Sequence, residues 1–267
     1  MTQLSASPVV AVTGAAAGIG RAVAGRFARA GWRVALFDID EAALNEAVRS
    51  MGEPGQVWGH RLDVADPDAW QRALEALAGW SGERLDLLVN NAGVSATQLF
   101  EDIPLGRHHR LVDINLKGVI NGCHTALPWL RRTPGARVVN LCSASALHGQ
   151  PMLSTYGATK AAVRSLTEAL DIEWRRRHGV RVVDVLPLFV DTAMVRNDVH
   201  KMKTVSTLGV RLTAADVAEV IWRLAQRDAA RLPVHTPVGW QTRLLYSLGK
   251  CSPDAVNSWI TARLAGF

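Results

Sequence analysis

The chain has 267 residues, 48% of them apolar, and a formal net charge of +6. That is enough material for one large α/β core, and no linker, internal repeat or low-complexity tract divides it. No apolar run approaches the roughly 18 residues of a membrane span, and the basic residues are too dispersed to argue for nucleic acid as a partner.

The start, Met1 to Pro8, lacks the basic region and long apolar stretch of a secretory signal, so a cytoplasmic protein is expected. Cys123, Cys142 and Cys251 are odd in number and have no C-x-x-C spacing, and the eight histidines show no H-E-x-x-H. Both patterns fit a reducing compartment and predict no metal site. The densest basic cluster, Arg175-Arg176-Arg177-His178, reads as a solvated helix end.

Pro8 to Thr13 is a β-branched run that leads into Gly14-Ala15-Ala16-Ala17-Gly18-Ile19-Gly20 and a helical stretch ending near Ala30. Strand, glycine loop and helix together lay a pyrophosphate on a helix N-terminus, where unpaired N–H groups and the helix dipole favour anions. The spacing is G-x-x-x-G-x-G, not the commoner G-x-G-x-x-G. The next strand, Arg33 to Phe37, ends in Asp38. A carboxylate there either accepts from the ribose hydroxyls of an adenosine or caps the helix from Glu41 to Ser50.

Val57 to Leu62 forms a third strand ending at Asp63-Val64, followed by a helix from Pro67 to Trp80. Leu85 to Val89 is a fourth, followed by Asn90-Asn91-Ala92-Gly93, whose small residues let a ligand approach the backbone. A long helix runs from Leu105 to Leu130 and carries Asn115, which competes with the backbone and so either kinks the helix or binds something. Strand five (Arg137 to Leu141) precedes Ser143, a helix carries Tyr156 to about His178, and Val180 to Leu186 is strand six. This alternation predicts an α/β fold with one doubly wound parallel sheet and helices on both faces. Gly14, Asp38, Asp63, Asn90 and Ser143 then share the ligand-binding edge.

Tyr156 and Lys160 are four residues apart, hence on one helix face. An ammonium beside the phenol is expected to pull its pKa down from about 10 and make Tyr156 a general base. A hydroxyl at Ser143 can donate to a substrate oxygen that shares the phenol's proton. Such a pair alone fits a surface helix equally well, and its weight comes from the motifs around it.

Ala193 to Leu212 is a loop with Met194, Val195, Val199, Met202, Val205 and Leu208 among His200, Lys201 and Lys203. A helix from Thr213 to Gln226 opens with a Thr cap and Asp216 at its third position. Arg231 to Thr236 is the last strand expected. Residues 1–236 form the catalytic domain, including a substrate loop at 188–212, and residues 237–267 are its amphipathic extension. There, Trp240, Leu244, Leu245 and Leu248, then Val256, Trp259, Ile260, Leu264 and Phe267, recur at helical spacing. Three partners are open to these faces: the body or a neighbouring subunit, a lid over the substrate, or a membrane surface helped by Arg243, Lys250 and Arg263. Tryptophans elsewhere are expected in the core.

The set T-G-A-A-A-G-I-G at Thr13 to Gly20, Asp63-Val64, N-N-A-G at Asn90 to Gly93, Asn115, Ser143 and Y-G-A-T-K at Tyr156 to Lys160 closely resembles the short-chain dehydrogenase/reductase family, over roughly the first 195 residues. The resemblance implies a Rossmann-type fold, a nicotinamide cofactor and a catalytic set of Asn115, Ser143, Tyr156 and Lys160. Tyr156 would move the proton, Ser143 polarise the substrate oxygen, Lys160 lower the tyrosine's pKa and hold the ribose, and Asn115 support a water reaching bulk. The cofactor would touch Gly14, Ala17, Gly18, Ile19, Gly20, Asp38, Asp63, Val64, Asn90, Ala92, Gly93, Tyr156, Lys160, Pro187, Val190 and Thr192. One position departs from the pattern: Leu188 stands where the family has glycine, adding bulk beside the nicotinamide.

Asp38 would repel a 2′-phosphate, and Ala17 and Ile39 beside it are uncharged, so NAD is expected over NADP. The implied activity is hydride transfer between NAD(H) and a secondary alcohol or ketone, with a bulky apolar substrate expected from the C-terminal faces. The alternative, a catalytically weak dinucleotide sensor or scaffold, would call for a broken catalytic set, and all four positions are intact. The resemblance further implies a homodimer or homotetramer through the helices that begin near 105 and 156.

Overall fold

The computed structural model describes residues 7–53, 55–197, 202–249 and 251–267. Val199, His200, Lys201 and Lys250 lie outside them, as do residues 1–6. The first half of the chain alternates β1 (Val9–Thr13), α1 (Gly18–Ala28), β2 (Arg33–Asp38), α2 (Glu41–Ser50), β3 (Val57–Arg61), α3 (Pro67–Ser81) and β4 (Leu87–Asn90). There follow α4 (Leu105–Val112), a π turn (Asp113–Lys117), α5 (Gly118–Leu130), β5 (Arg137–Leu141), α6 (Ser154–Arg177) and β6 (Arg181–Leu186). The remainder holds β7 (Val190–Asp191), α7 (Ala193–Asn197), α8 (Lys203–Leu208), β8 (Leu212–Thr213), α9 (Ala214–Gln226), β9 (His235–Pro237), α10 (Gly239–Gly249) and α11 (Asp254–Ala265).

Among the described residues seven strands form one parallel sheet in the order β3-β2-β1-β4-β5-β6-β9. The chain moves outward from β1 to β3 and then returns to β4, so the strand order reverses between β1 and β4. A crevice opens there at the carboxyl ends of the strands. Strands covered on both faces must be apolar throughout, and β1 (V-V-A-V-T) is wholly buried. One face packs Phe27 of α1, Leu44 of α2 and Ile221 of α9, and the other packs Trp70 of α3, Ala126 of α5 and Val163 of α6. Trp70 is fully buried, donates its indole N–H to the Val64 carbonyl at 3.1 Å, and is met by Gly122, where a Cβ would stand 2.8 Å from the ring. Between α6 and the start of β6, a buried Arg181–Asp171 pair at 2.7 Å is completed by hydrogen bonds to Leu232 and to the Val182 amide.

The long helix from Leu105 is interrupted by the π turn at Asn115, so the kink is realised and so is a bonding role. Asn115 is fully buried, accepting from the Val94 amide and donating to the Val94 carbonyl, both at 2.9 Å. The helix after the glycine loop begins at Gly18, inside the loop, because its first turn needs no capping side chain. The last strand lies at His235–Pro237 instead of Arg231 to Thr236, since Ala229–Arg231 forms a 3₁₀ turn. Thr213 and Asp216 do form a reciprocal capping box at α9.

Segment 188–212 holds more structure than a loop: β7 and β8 pair and α7 and α8 lie between them. Beyond β9, α10 is anchored by fully buried Thr242, while α11 has no buried residue and packs mainly on α8. Trp240 and Trp259, each 63% exposed, are therefore not core residues, and the apolar faces of both helices look outward. Among the described residues no helix is long and apolar enough to cross a membrane.

Candidate active site

A cavity of about 390 Å³ occupies the crevice at the carboxyl edge of β1, β2, β4, β5 and β6. Its floor at one end is the glycine loop. Gly14 and Gly18 have φ of +62° and +53°, and a Cβ on Gly20 would fall 2.1 Å from the Gly14 carbonyl oxygen. Only glycine permits these turns and that approach. The loop is braced by Asn91, whose Nδ2 donates to the carbonyls of Thr13 (2.8 Å) and Gly14 (3.1 Å). α1 starts at this loop with Ala17 as its cap residue, no capping side chain and no acidic residue in its first turn. Its N–H groups are thus left for an external anion.

Asp38 lies at the same end. It accepts from the amides of Ala16 (3.0 Å) and Asp40 (3.1 Å), while Asp40 caps α2 through the Ala43 amide. The capping role open to Asp38 from the sequence therefore falls to its neighbour. Leu62, Asp63 and Val64 extend this wall.

The opposite end is chemical. Tyr156 and Lys160 project from α6 toward Ser143, which follows β5. Ser143 shares the cavity with the Tyr156 phenol, whose pKa its hydroxyl lowers, and accepts from the Ser145 amide at 3.2 Å. Lys160 is buried, donates to the Leu141 carbonyl at 2.8 Å, and stands 5.7 Å from the centroid of the Tyr156 ring. Burial lowers the Lys160 pKa. At Tyr156 burial likewise dominates and pushes the phenol up to about 12, against the lowering effect of the Ser143 hydrogen bond. The expectation that the lysine pulls the phenol down is not met in the protein alone: the ammonium is engaged by a carbonyl and the phenol is enclosed by protein.

Of the predicted cofactor contacts, Gly14, Ala17, Gly18, Ile19, Asp38, Asp63, Val64, Ala92, Gly93, Tyr156, Lys160, Pro187, Val190 and Thr192 line the cavity. Gly20 packs beneath Gly14 instead. Asn90 does not reach the cavity. As the last residue of β4 it turns into the core, where its Nδ2 donates to Asn140 Oδ1 at 2.9 Å and contacts the Cys123 sulfur at 3.5 Å. Strand alternation sends Asn91 the other way, and Asn91 is the residue on the wall. Asn115 stands behind the wall and holds Val94. Leu188 lines the cavity and packs into a cluster with Leu153, Phe189 and Val195. Val94, Arg110 and Ile114, unforeseen from the sequence, also line it, as does Met194 of the expected substrate segment. Among the described residues no cluster of His, Cys, Asp or Glu could hold a metal ion.

A doubly wound parallel sheet with an anion-ready glycine loop at one end of its crevice and a Ser–Tyr–Lys group at the other has the makings of a dinucleotide-linked oxidoreductase. Residues 8–203 match the short chain dehydrogenase family, and the chain belongs to it. It is 37% identical to sulfoacetaldehyde reductase 2 of Chromohalobacter salexigens over 238 residues, 87% of this chain and 92% of that one. It is 31% identical to the 3-oxoacyl-[acyl-carrier-protein] reductase FabG of Thermotoga maritima over 227 residues, 83% of this chain and 92% of that one. The crystal structure of the 3-ketoacyl-(acyl-carrier-protein) reductase of Brucella melitensis complexed with NADH superposes with a TM-score of 0.79 at 27% identity, covering 88% of this chain and 98% of that one.

Proposed function

We propose that this chain transfers a hydride between NAD(H) and a secondary alcohol or ketone, running as a carbonyl reductase at neutral pH. The observation that carries this assignment is one cavity joining Ser143, Tyr156 and Lys160 to a glycine loop, an uncapped helix start and Asp38. NAD(H), when bound, supplies or takes the hydride. The residues present fit such a group. The first turn of α1 suits its pyrophosphate, Asp38 its adenosine ribose, and Lys160 its nicotinamide ribose. A side chain at Gly93 would stand 3.2 Å from Asn115 Oδ1 and 3.7 Å from Lys160 Nζ, so glycine there keeps that space open.

In reduction, Ser143 donates to the carbonyl oxygen and the Tyr156 phenol delivers its proton to the same oxygen as negative charge builds there. A phenol near 12 is protonated at neutral pH, which is the state reduction requires. Lys160 holds its own place through the Leu141 carbonyl and favours the phenolate left behind. Both ends of the Asn115 amide are occupied by Val94, so its role is to fix the backbone at Gly93-Val94.

Leu188, Met194 and Val195 give the reacting end an apolar lining, and among the described residues its one cation is Lys160. This favours a neutral apolar ketone over an anionic aldehyde of the kind for which one relative is named. Asp38 favours NAD, because a 2′-phosphate would meet its carboxylate. Exposed Ile120 on α5 and Ile172 on α6 support a homodimer or homotetramer. The test is NADH oxidation against a homologous series of 2-alkanones and matching aldehydes, repeated with NADPH. Turnover that rises with chain length and prefers NADH is expected. No turnover with any carbonyl, alongside tight NADH binding, would instead identify a dinucleotide sensor.

A further inference from the structure

α4 presents Arg110 to the cavity wall beside Val94 and Ile114. The side chain is exposed, and among the described residues it has no hydrogen bond, ion pair or ring contact. Its neighbours are engaged: Arg107 donates to the Ser95 carbonyl at 2.9 Å, His108 bridges Thr155 and the Phe100 carbonyl, and Lys117 pairs with Asp113 at 2.7 Å. The fold therefore does not use Arg110, yet it stands on the lip of the ligand crevice.

Its place along the crevice follows from its neighbours. Arg110, in the last turn of α4, and Ile114, in the π turn, both line the cavity. Gly118, four residues further, meets β3's outgoing segment so closely that a Cβ there would lie 2.8 Å from Val64 Cγ2. Gly118 thus ties the end of this helical stretch to the wall formed by Leu62 to Val64, next to Asp38, whose carbonyl accepts from the Leu62 amide at 2.8 Å. Ser143, Tyr156 and Lys160 reach the cavity from the end of β5 and from α6. Asp63, the nearest carboxylate on that wall, is turned to the Ala65 amide and forms no pair with Arg110. An unpaired planar cation on a cavity that Val64 and Ile114 also line suits a flat aromatic ring better than an anion.

We propose that Arg110 lays its guanidinium on the outer face of the adenine ring and closes it against Ile114 and Val64. The proposal rests on the dinucleotide assignment above. Stacking requires the planar fork, so lysine is a poor substitute. The residue acts on cofactor affinity and takes no part in the chemistry.

The experiment uses the full chain, Arg110→Ala and Arg110→Lys, titrated with NADH by fluorescence and with adenosine, AMP and nicotinamide mononucleotide in competition. Because Arg110 is exposed, both variants should fold with unchanged melting. Arg110→Ala is expected to weaken NADH, AMP and adenosine alike by about tenfold, with Arg110→Lys recovering only part. Nicotinamide mononucleotide binding and kcat at saturating NADH should stay within about twofold of the wild type. Loss confined to AMP and NADH, with adenosine unaffected, would mean phosphate pairing and overturn the stack. So would unchanged binding of every adenosine-containing probe, or an effect on carbonyl KM alone. A wild-type chain that binds no NADH would overturn the dinucleotide assignment itself, which separates the two failures.

Discussion

At Tyr156 burial and the Ser143 hydroxyl pull in opposite directions, and burial wins: the phenol sits near 12 while Lys160 spends a hydrogen bond on Leu141. The kcat/KM for alcohol oxidation, which needs the phenolate, should therefore rise with pH through neutrality, whereas that for carbonyl reduction should stay flat there. Parallel pH profiles in the two directions check this, and an oxidation rate that is flat or falling between about pH 6 and 8 would contradict it. Asp38 allows a separate test of cofactor choice. Its strand neighbour in register is Arg61, so removing the carboxylate's charge leaves a cation next door. Asp38→Asn keeps the shape and should narrow the NADH over NADPH preference in kcat/KM by about tenfold or more. An unchanged ratio would place the discrimination elsewhere.

Among the elements, β9 is held to the body by a charge network. His235 bonds Asp184 at 2.8 Å through Nδ1 and Glu168 at 2.7 Å through Nε2. Burial alone lowers the His235 pKa, but Asp184 and Glu168 outweigh it and hold the imidazole above its ordinary 6.5. A raised folded pKa binds the proton more tightly than the unfolded chain does. The stabilisation is thus complete below about 6.5 and is lost as pH climbs through the folded value. Asp184, raised mainly by burial, acts in the same direction from lower pH. Melting temperature should fall as pH rises from about 6 to 8, and His235→Gln should flatten that slope while destabilising the fold by leaving Asp184 unpaired. Equal slopes in the two proteins would show that the network is not the cause.

Strands β1, β5 and β6 were legible because a strand covered on both faces reads as a short, mainly apolar run rich in valine. The convergence of Ser143, Tyr156 and Lys160 on one cavity was legible because Tyr156 and Lys160 share a helix face and Ser143 ends a strand. Asn90 and Asn91 were not separable, since pleat phase alone decides which of two identical residues faces the ligand. The π turn at Asn115 and the strand at His235 depend on partners distant in sequence, Val94 in one case and Asp184 in the other. Arg110 bears no motif and becomes visible only when α4 is placed against the crevice.

For the molecule as a whole, the C-terminal helices were recognisable by period but not by what they face. α11 touches α8, with Thr204 donating to the Leu264 carbonyl at 3.5 Å, and its Ser258 meets His148 at 3.4 Å. It thereby bridges α8 and the loop between Ser143 and Tyr156. The sheet is complete at Pro237, so a chain ending at Val238 should still unfold cooperatively. Loss of the bridge should raise KM for the longer 2-alkanones several-fold with little change for the shortest. An unchanged dependence on chain length would show that the extension has no part in substrate choice. The central claim, that Tyr156 carries the proton in a dinucleotide site that does not otherwise depend on it, is tested most directly by Tyr156→Phe, measuring carbonyl turnover and NADH affinity on the same preparation. Turnover should fall by about a thousandfold with the NADH Kd within about twofold of the wild type; a variant that keeps more than a few per cent of the activity would contradict it.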